Sequence, residues 1–171
     1  GIGVLLSAFE RIFEQSDRVK LVFVGEGPLG EMIESEIRQN NWQDRVSLVG
    51  FRDDVPEVMN AIDLLLLPSF WEGFGIVLIE AMAASKPVIT TRISSMPEIV
   101  NDGETGYLID PGDSEQLSRY VTELLQNREK AISMGKAGHD AVYAKFSLTQ
   151  MVNHLEAFMH RELVMAKGIQ H

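Results

Sequence analysis

The 171-residue sequence contains no cysteine, which excludes disulfide bonds and thiolate metal sites. It has no apolar run near the roughly 20 residues that a membrane-spanning helix needs, and no signal-peptide pattern at its start. Basic residues are few: 15 Lys and Arg face 25 Asp and Glu, and the formal net charge of −10 argues against nucleic acid as a partner. We therefore expect a cytoplasmic protein with no transmembrane segment.

The chain also lacks a recognisable metal-binding pattern. Its four histidines, at positions 139, 154, 160 and 171, show no metal spacing. Asp53 and Asp54 lack the surroundings of a metal-binding Asp-x-Asp motif. We expect no metal and no cofactor. The composition, 45% hydrophobic and 23% charged, is that of an ordinary globular protein, and we expect a single domain over residues 1–171.

Apolar periodicity predicts helices alternating with short strands. Helices are expected over residues 4–15, 32–41, 55–62 and 76–84, and strands over 20–24, 46–49, 64–67, 88–91 and 106–109. A helical turn is expected at 97–101, and helical structure follows from Asp113, with Asp113 or Ser114 as the cap. This alternation predicts a doubly wound parallel sheet in Rossmann-like αβα layers, with ligands at the carboxyl ends of the strands.

The stretch from Pro68 to Val88 carries the most informative motif. An apolar strand, predicted to be buried, ends at Pro68; a loop of Glu-Gly-Phe-Gly follows, and a helix begins at Ile76. Glycines allow the backbone to approach a ligand closely, and the free N–H groups at a helix start attract an anion. The pattern therefore predicts a phosphate-binding corner.

Two glutamates, Glu72 and Glu80, flank this corner. Glu80 lies about one turn into the helix, and its side chain tilts back toward the helix start. Two acceptors around an anion site suit a diphosphate between two hydroxyl-bearing rings, which is the layout of a nucleotide sugar. The helix is apolar on nearly every side and is expected to be buried, so an ion pair between Glu80 and Lys86 is the structural alternative.

Several motifs occur in the order and spacing of a known family. Residues 68–83, P-S-F-W-E-G-F-G-I-V-L-I-E-A-M-A, followed by K-P-V-I-T-T, resemble the glutamate-x7-glutamate signature of family 4 retaining glycosyltransferases, which have the GT-B fold. Further matches are V-G-E-G-P at 24–28, G-F-R-D-D-V-P at 50–56, and P-E-I-V at 97–100 followed by N-D-G-E-T-G. The resemblance covers nearly the whole chain and implies a carboxyl-terminal, donor-binding domain.

The resemblance implies roles for particular residues. The sugar-binding positions would be Glu72, Gly73, Phe74 and Gly75, and the nucleotide- and phosphate-binding positions Ile76, Val77, Glu80, Gly25, Gly27, Phe51 and Arg52. Glu72 would bind hydroxyls of the transferred sugar and Glu80 the ribose hydroxyls. No catalytic residue is assigned. Simple turns remain the alternative for the glycines, and a surface ion pair with Asp53 or Asp54 remains the alternative for Arg52.

The resemblance also implies parts that these residues do not include. Family members have an amino-terminal acceptor domain, then a strand and loop whose Arg and Lys hold the diphosphate, and Gly1 would align just after that Lys. The sheet is therefore expected to lack a central strand and to expose edges that favour self-association. The whole enzyme would transfer a sugar from a UDP-, GDP- or ADP-sugar, with peripheral membrane association possible, whereas this chain alone would bind the donor without transferring it.

Two other functions stay open. One is a non-catalytic α/β nucleotide-binding or interaction module, and the other is a nucleotide-sugar epimerase or phosphorylase of related fold. Ser85, Ser94 and Ser95 stand where the family usually has glycines, which concerns the sugar pocket and not the nucleotide site.

The carboxyl-terminal segment carries a helix signal and an apolar stripe. Ser147 and Gln150 form a capping-box pattern. The stripe, which in the family packs on the other domain, consists of Met151, Leu155, Phe158 and Met159. Residues 167–171 are expected to be a frayed tail.

Overall fold

The computed structural model describes residues 1–168, in which helices and strands alternate. The strands are β1 (Leu21–Phe23), β2 (Val46–Leu48), β3 (Leu65–Leu67), β4 (Val88–Thr91) and β5 (Tyr107–Ile109). The helices are α1 (Ile2–Gln15), α2 (Gly30–Gln39), α3 (Val55–Ala61), α4 (Ile76–Ala83), α5 (Met96–Ile99), α6 (Ser114–Gln126), α7 (Arg128–Phe146) and α8 (Leu148–Gly168). The predicted α/β class is confirmed. Of the tail expected at 167–171, residues 169–171 lie outside the described part.

The strands form two parallel sheets and not one continuous sheet. β1 pairs with β2 in the register Leu21↔Val46. In the second sheet β4 lies between β3 and β5, with Leu65 opposite Val88. Within residues 1–168, no strand pairing joins β1 to β3. The interruption lies where the sequence resemblance predicts a further strand.

Helices cover both faces of the sheets. One core, around α1, β1 and α6, buries Phe9, and the other, around α3, α4 and α5, buries Leu78. Successive strand residues point to opposite faces, so Ile89 enters the first core and Val88 the second. This doubly wound arrangement directs the loops after the strands to the carboxyl edge, where such folds bind ligands.

An apolar groove of about 970 Å³ lies between β1 and β3. Its walls come from α1 and α6 on one face of the sheets and from α3 and α4 on the other. The apolar lining includes Leu5, Phe9, Ile12, Val22, Val24, Val58, Met59, Leu64, Leu66, Val77 and Val121. Residues 64–67 are only half-buried, so the prediction of a buried strand is wrong. The open groove leaves one side of these leucines uncovered.

Helix α4 presents one face to the core and leaves the other open. Leu78 and Met82 are fully buried, whereas Ile76 is 63% exposed and Glu80 is also exposed. The expectation that this helix is buried on nearly every side is therefore wrong. The open face carries Ile76 and Glu80, which are four residues apart and therefore lie on the same side of the helix. This face borders the groove, whose lining includes Glu80.

Helix α7 approaches the carboxyl end of α4 very closely. A Cβ added to Gly135 would lie 2.1 Å from the carbonyl oxygen of Ser85. One added to Gly138 would lie 3.3 Å from Cγ of Met82. Position 135 therefore has no room for a side chain, whereas an added Cβ at position 138 would make only a tight contact. Ser85 itself has a φ of 57°, in the left-handed region that glycine adopts most easily.

Side-chain caps separate the last three helices. The Asp113 carboxylate accepts a hydrogen bond from the Gln116 amide at 2.8 Å and caps α6. Asn127 then ends α6 and caps α7 through the Lys130 amide. Ser147 accepts from the Gln150 amide at 3.4 Å, which is the forward half of the predicted capping box. The predicted stripe on α8 is more than half exposed: Met151, Leu155, Phe158 and Met159.

Candidate functional site

The loop between β3 and α4 ends at a helix start with free amides. Gly75 is the N-cap with a φ of 76°, and a Cβ there would lie 2.7 Å from Cε of Met96, so both backbone angle and space favour glycine. No side chain caps this helix, and its first turn has no acidic residue. The Ile76 and Val77 amides therefore lack intrahelical acceptors and stand at the positive end of the helix dipole. An anion is favoured there.

Glu72 and Glu80 lie before and after this helix start. Glu72 is half-buried and accepts a hydrogen bond from the Gly73 amide at 3.2 Å. Glu80 is exposed, and its carboxylate has no hydrogen-bond or ion-pair partner among the side chains that the structure describes, those of residues 1–153 and 155–162. The Lys86 ammonium donates to the carbonyl oxygen of Asn60 at 3.0 Å, so the alternative of a Glu80–Lys86 ion pair is wrong. The Glu80 carboxylate is available to a ligand.

The loops after β1 and β2 meet at the carboxyl edge of their sheet. The Gly25 amide, at a φ of 115°, donates to the Gly50 carbonyl oxygen at 2.7 Å. This bridge brings the segment containing Gly25 and Gly27 beside the segment containing Phe51. The Phe51 side chain is 73% exposed, so an aromatic face stands open beside two glycine-containing turns.

Arg52 forms a surface ion pair with Asp54, which was the alternative to a ligand contact. Its Nε donates to Oδ1 of Asp54 at 2.6 Å, and its Nη2 donates to Oδ2 of the same carboxylate. The hydrogen bond from Arg52 holds the pKa of Asp54 below its ordinary value, and the same bond raises the pKa of Arg52. The Arg52 guanidinium is thus paired with a neighbouring carboxylate in this structure.

The two groups of candidate residues stand on different sheets. The group around Gly25 and Phe51 follows β1 and β2, and the group from Glu72 to Glu80 follows β3. The groove separates them, with Val24 on one side and Glu80 on the other. Across residues 1–168 no hydrogen bond links the two groups. A ligand that contacts both must cross the mouth of the groove.

Sequence reasoning missed the residues that fix the loop after β3. The hydroxyls of Thr90, Thr91 and Ser95 donate to carbonyl oxygens of residues 67, 69 and 73. A signal was present, because three hydroxyl residues lie at and just after a strand that pairs with β3. Glu98, a family match, lies exposed in the first turn of α5.

Neither a metal site nor a membrane-spanning helix is found among residues 1–168. No group of three or more His, Asp or Glu side chains there could hold a metal ion. None of the helices in that part combines the length and apolar character of a membrane span.

Comparison with known sequences identifies the family. Residues 1–141 match the family model described as Glycosyl transferases group 1. The chain is 35% identical over 156 residues to the N-acetyl-alpha-D-glucosaminyl L-malate synthase of Bacillus anthracis, covering 91% of this chain and 41% of that protein. It is 34% identical over 143 residues to the phosphatidyl-myo-inositol mannosyltransferase of Mycobacterium leprae, covering 79% and 37%. The chain belongs to the group 1 glycosyltransferase family, as its motifs predicted.

Solved structures agree with the fold. Anabaena HepE in complex with UDP and glucose superposes with a TM-score of 0.84 at 25% identity, covering 94% of this chain and 44% of that one. The C-terminal domain of the group 1 family protein LpcC of Francisella tularensis superposes with a TM-score of 0.80 at 26% identity. The match covers 86% of this chain and 80% of that one. The chain spans less than half the length of the curated relatives described above.

Proposed function

We propose that this chain is the donor-binding domain of a retaining, metal-independent glycosyltransferase that uses a nucleotide diphosphate sugar. The observation that carries the proposal is the uncapped start of α4, followed one turn later by the unpartnered carboxylate of Glu80. Backbone amides can bind a diphosphate in a chain with a formal net charge of −10. The UDP and glucose named in the HepE structure support this ligand class.

Each part of the site has a role in this proposal. The amides of Ile76 and Val77 stabilise the charge that develops on the leaving diphosphate, because preorganised dipoles cost no reorganisation during the reaction. Glu80 accepts hydrogen bonds from the ribose, and Glu72 orients the transferred sugar. Phe51 and the turns at Gly25 and Gly27 lie on the base side. The acceptor approaches from a neighbouring domain, which fixes its orientation.

Titration of the chain with UDP, GDP and ADP tests the proposal. We expect weak binding of at least one nucleoside diphosphate and weaker binding of the matching monophosphate. In amide NMR spectra, the resonances of Ile76 and Val77 should shift on binding, whereas those of α6 serve as an internal control. Absence of both heat and shifts with all three nucleotides at millimolar concentration would overturn the proposal. The cytoplasmic location remains a prediction.

The same proposal gives the groove an occupant, namely a β-strand from the part of the whole protein that precedes Gly1. Leu21 and Phe23 hydrogen-bond toward β2, so the N–H and C=O of Val22 point the opposite way, into the groove. Leu65 hydrogen-bonds toward β4, so Leu66 offers its N–H and C=O from the other side. An inserted strand would thus find unpaired backbone groups on both edges.

The direction and composition of this strand follow from its surroundings. Gly1 lies against Pro68 at the carboxyl end of β3, where an added Cβ would be 1.9 Å from the Pro68 oxygen. A segment leading into α1 therefore leaves the groove at the carboxyl edge, parallel to β1 and β3. The inserted strand would be followed by α1 and then by β1, which is the ordinary crossover connection between two parallel strands. Because helices cover both faces of the groove, the strand should be apolar throughout.

Extending the chain by its natural preceding residues tests this assignment. The extension should slow amide hydrogen exchange at Val22 and Leu66 and raise Tm, and the protein should stay monomeric in sedimentation. The amides of Leu21 and Leu65, already bonded within their sheets, are the internal controls. An extension with proline at its centre should not protect the edges. Unchanged exchange, or protection only in a dimer of two chains, would contradict this occupant.

A further inference from the structure

We propose that Ser95 is a positioning residue that sets the direction of the Phe74 and Gly75 amides in the loop before α4. Its hydroxyl lies 2.9 Å from the carbonyl oxygen of Gly73 and 3.3 Å from that of Phe74. In a trans peptide the carbonyl and the following N–H point in opposite directions. Holding these two carbonyls therefore turns the amides of Phe74 and Gly75 away from Ser95, toward the open side of the loop.

The Ser95 hydroxyl does not cap the helix that follows it. It is the N-cap of α5, where a serine hydroxyl commonly accepts a hydrogen bond from its own helix, yet it makes no side-chain cap bond. The preceding Ser94 has a φ of 45°, a conformation that is costly for a residue with a side chain. The turn is thus shaped so that the hydroxyl reaches across to the loop and not along its own helix.

Two threonine hydroxyls hold the backbone between β3 and this loop in the same way. The hydroxyl of Thr90 donates to the Leu67 carbonyl oxygen at 2.8 Å, and that of Thr91 to the Ser69 carbonyl oxygen at 2.6 Å. Both threonines are fully buried. We call these two threonines and Ser95 the hydroxyl clasp. Its three hydroxyls, on β4 and the turn that follows it, hydrogen-bond to three carbonyl oxygens at the end of β3 and in the loop after it. The loop is therefore ordered before any ligand arrives.

The clasp has a consequence for donor binding that rests on the proposed function. Because the Phe74 and Gly75 amides already point toward the ligand position, binding does not carry the entropic cost of ordering the loop. The serine hydroxyl has one proton to share between two carbonyls, so its loss should free both peptide planes together. Removing the hydroxyl should then cost affinity for the sugar and phosphate part of the donor, and not for the nucleoside part.

The first test needs no ligand. In 15N relaxation of the chain alone, the order parameters of Phe74 and Gly75 should be near the rigid value of about 0.85. In Ser95→Ala they should fall below about 0.6, and in Ser95→Thr, which keeps the hydroxyl, they should be restored. Ser35→Ala, which removes a serine hydroxyl bonded to Gln39 on α2, is the control and should leave the loop unchanged. Equal order in all four proteins would overturn the inference.

The second test measures binding of UDP-glucose, GDP-mannose and ADP-glucose and of the matching nucleosides. Ser95→Ala should weaken binding of the preferred nucleotide sugar by roughly two- to ten-fold, the size of one hydrogen bond, and leave nucleoside binding unchanged. An equal loss for nucleoside and nucleotide sugar would contradict a positioning role. If the unmodified chain bound none of them, the proposed function would fail, while the relaxation experiment would still decide whether Ser95 orders the loop.

Discussion

Replacing Glu80 with glutamine is expected to weaken nucleoside diphosphate binding by roughly 10- to 100-fold, the range for hydrogen bonds to a charged group. In the proposed site the Glu80 carboxylate accepts from both ribose hydroxyls, whereas the amide of glutamine offers one acceptor and two donors. The fold should tolerate the change, because Glu80 is exposed and has no partner within the described residues. The free energy of unfolding should therefore stay within about 0.5 kcal/mol of the unmodified value.

Calorimetry with UDP and with its 2′,3′-dideoxy analogue identifies the contact. The unmodified chain should prefer UDP, and Glu80→Gln should bind the two ligands nearly equally. The same pair of measurements applies to GDP or ADP if one of those is preferred. Glu57→Gln, at an exposed position on the neighbouring helix α3, is a matched control and should keep the preference. A variant that binds both ligands more weakly by the same factor would show that Glu80 acts elsewhere.

Replacing Gly135 with alanine is expected to lower the free energy of unfolding by about 3 kcal/mol, the upper range for overpacking a core. The added methyl group would stand 2.1 Å from a backbone oxygen, which cannot rotate away as a flexible side chain can. Helices α4 and α7 would have to separate. For a chain of this size the loss corresponds to a fall in Tm of roughly 6–12 °C.

Gly3→Ala is the matched control for this substitution. Gly3 also lies in a helix, α1, but a Cβ there meets nothing within 4 Å. Alanine at that position should stabilise the protein by roughly 0.5–1 kcal/mol, because glycine loses more backbone entropy on folding. Thermal and urea unfolding of both variants compares the two sites. Similar Tm values for the two variants would show that α7 can move away from Ser85 without cost.

Much of the fold could be predicted, because local patterns and tertiary packing agree. Strand β4 was predicted with its observed bounds, since the β-branched run V-I-T-T begins directly after Pro87. The end of α6 and the start of α7 were not separated, because the break depends on one side chain, that of Asn127. The exposed face of α4 was missed because its composition is apolar nearly all round, and only the position of the groove decides which residues are covered.

The site was predictable where glycines and acidic residues mark it. Motif resemblance pointed to the segment around Glu72 and Glu80, and the structure places Glu72 in the loop before α4 and Glu80 one turn inside that helix. The hydroxyl clasp was not predictable, because Ser95 contacts a loop more than 20 residues away in sequence. The Arg52–Asp54 pair was left as one of two alternatives, since a sequence cannot decide between a local ion pair and a ligand contact.

The division into two sheets has a consequence for the proposed ligand site, whose two halves follow different sheets. The loops proposed to bind the base follow β1 and β2, and the loop proposed to bind the diphosphate follows β3; in the part of the chain that the structure describes, no strand pairing joins the two sheets. Under the proposed function, a segment that fills the groove would set the distance between the nucleoside-binding loops and the diphosphate-binding start of α4. A bulkier or slimmer insert would retune nucleotide affinity without touching any residue that contacts the nucleotide.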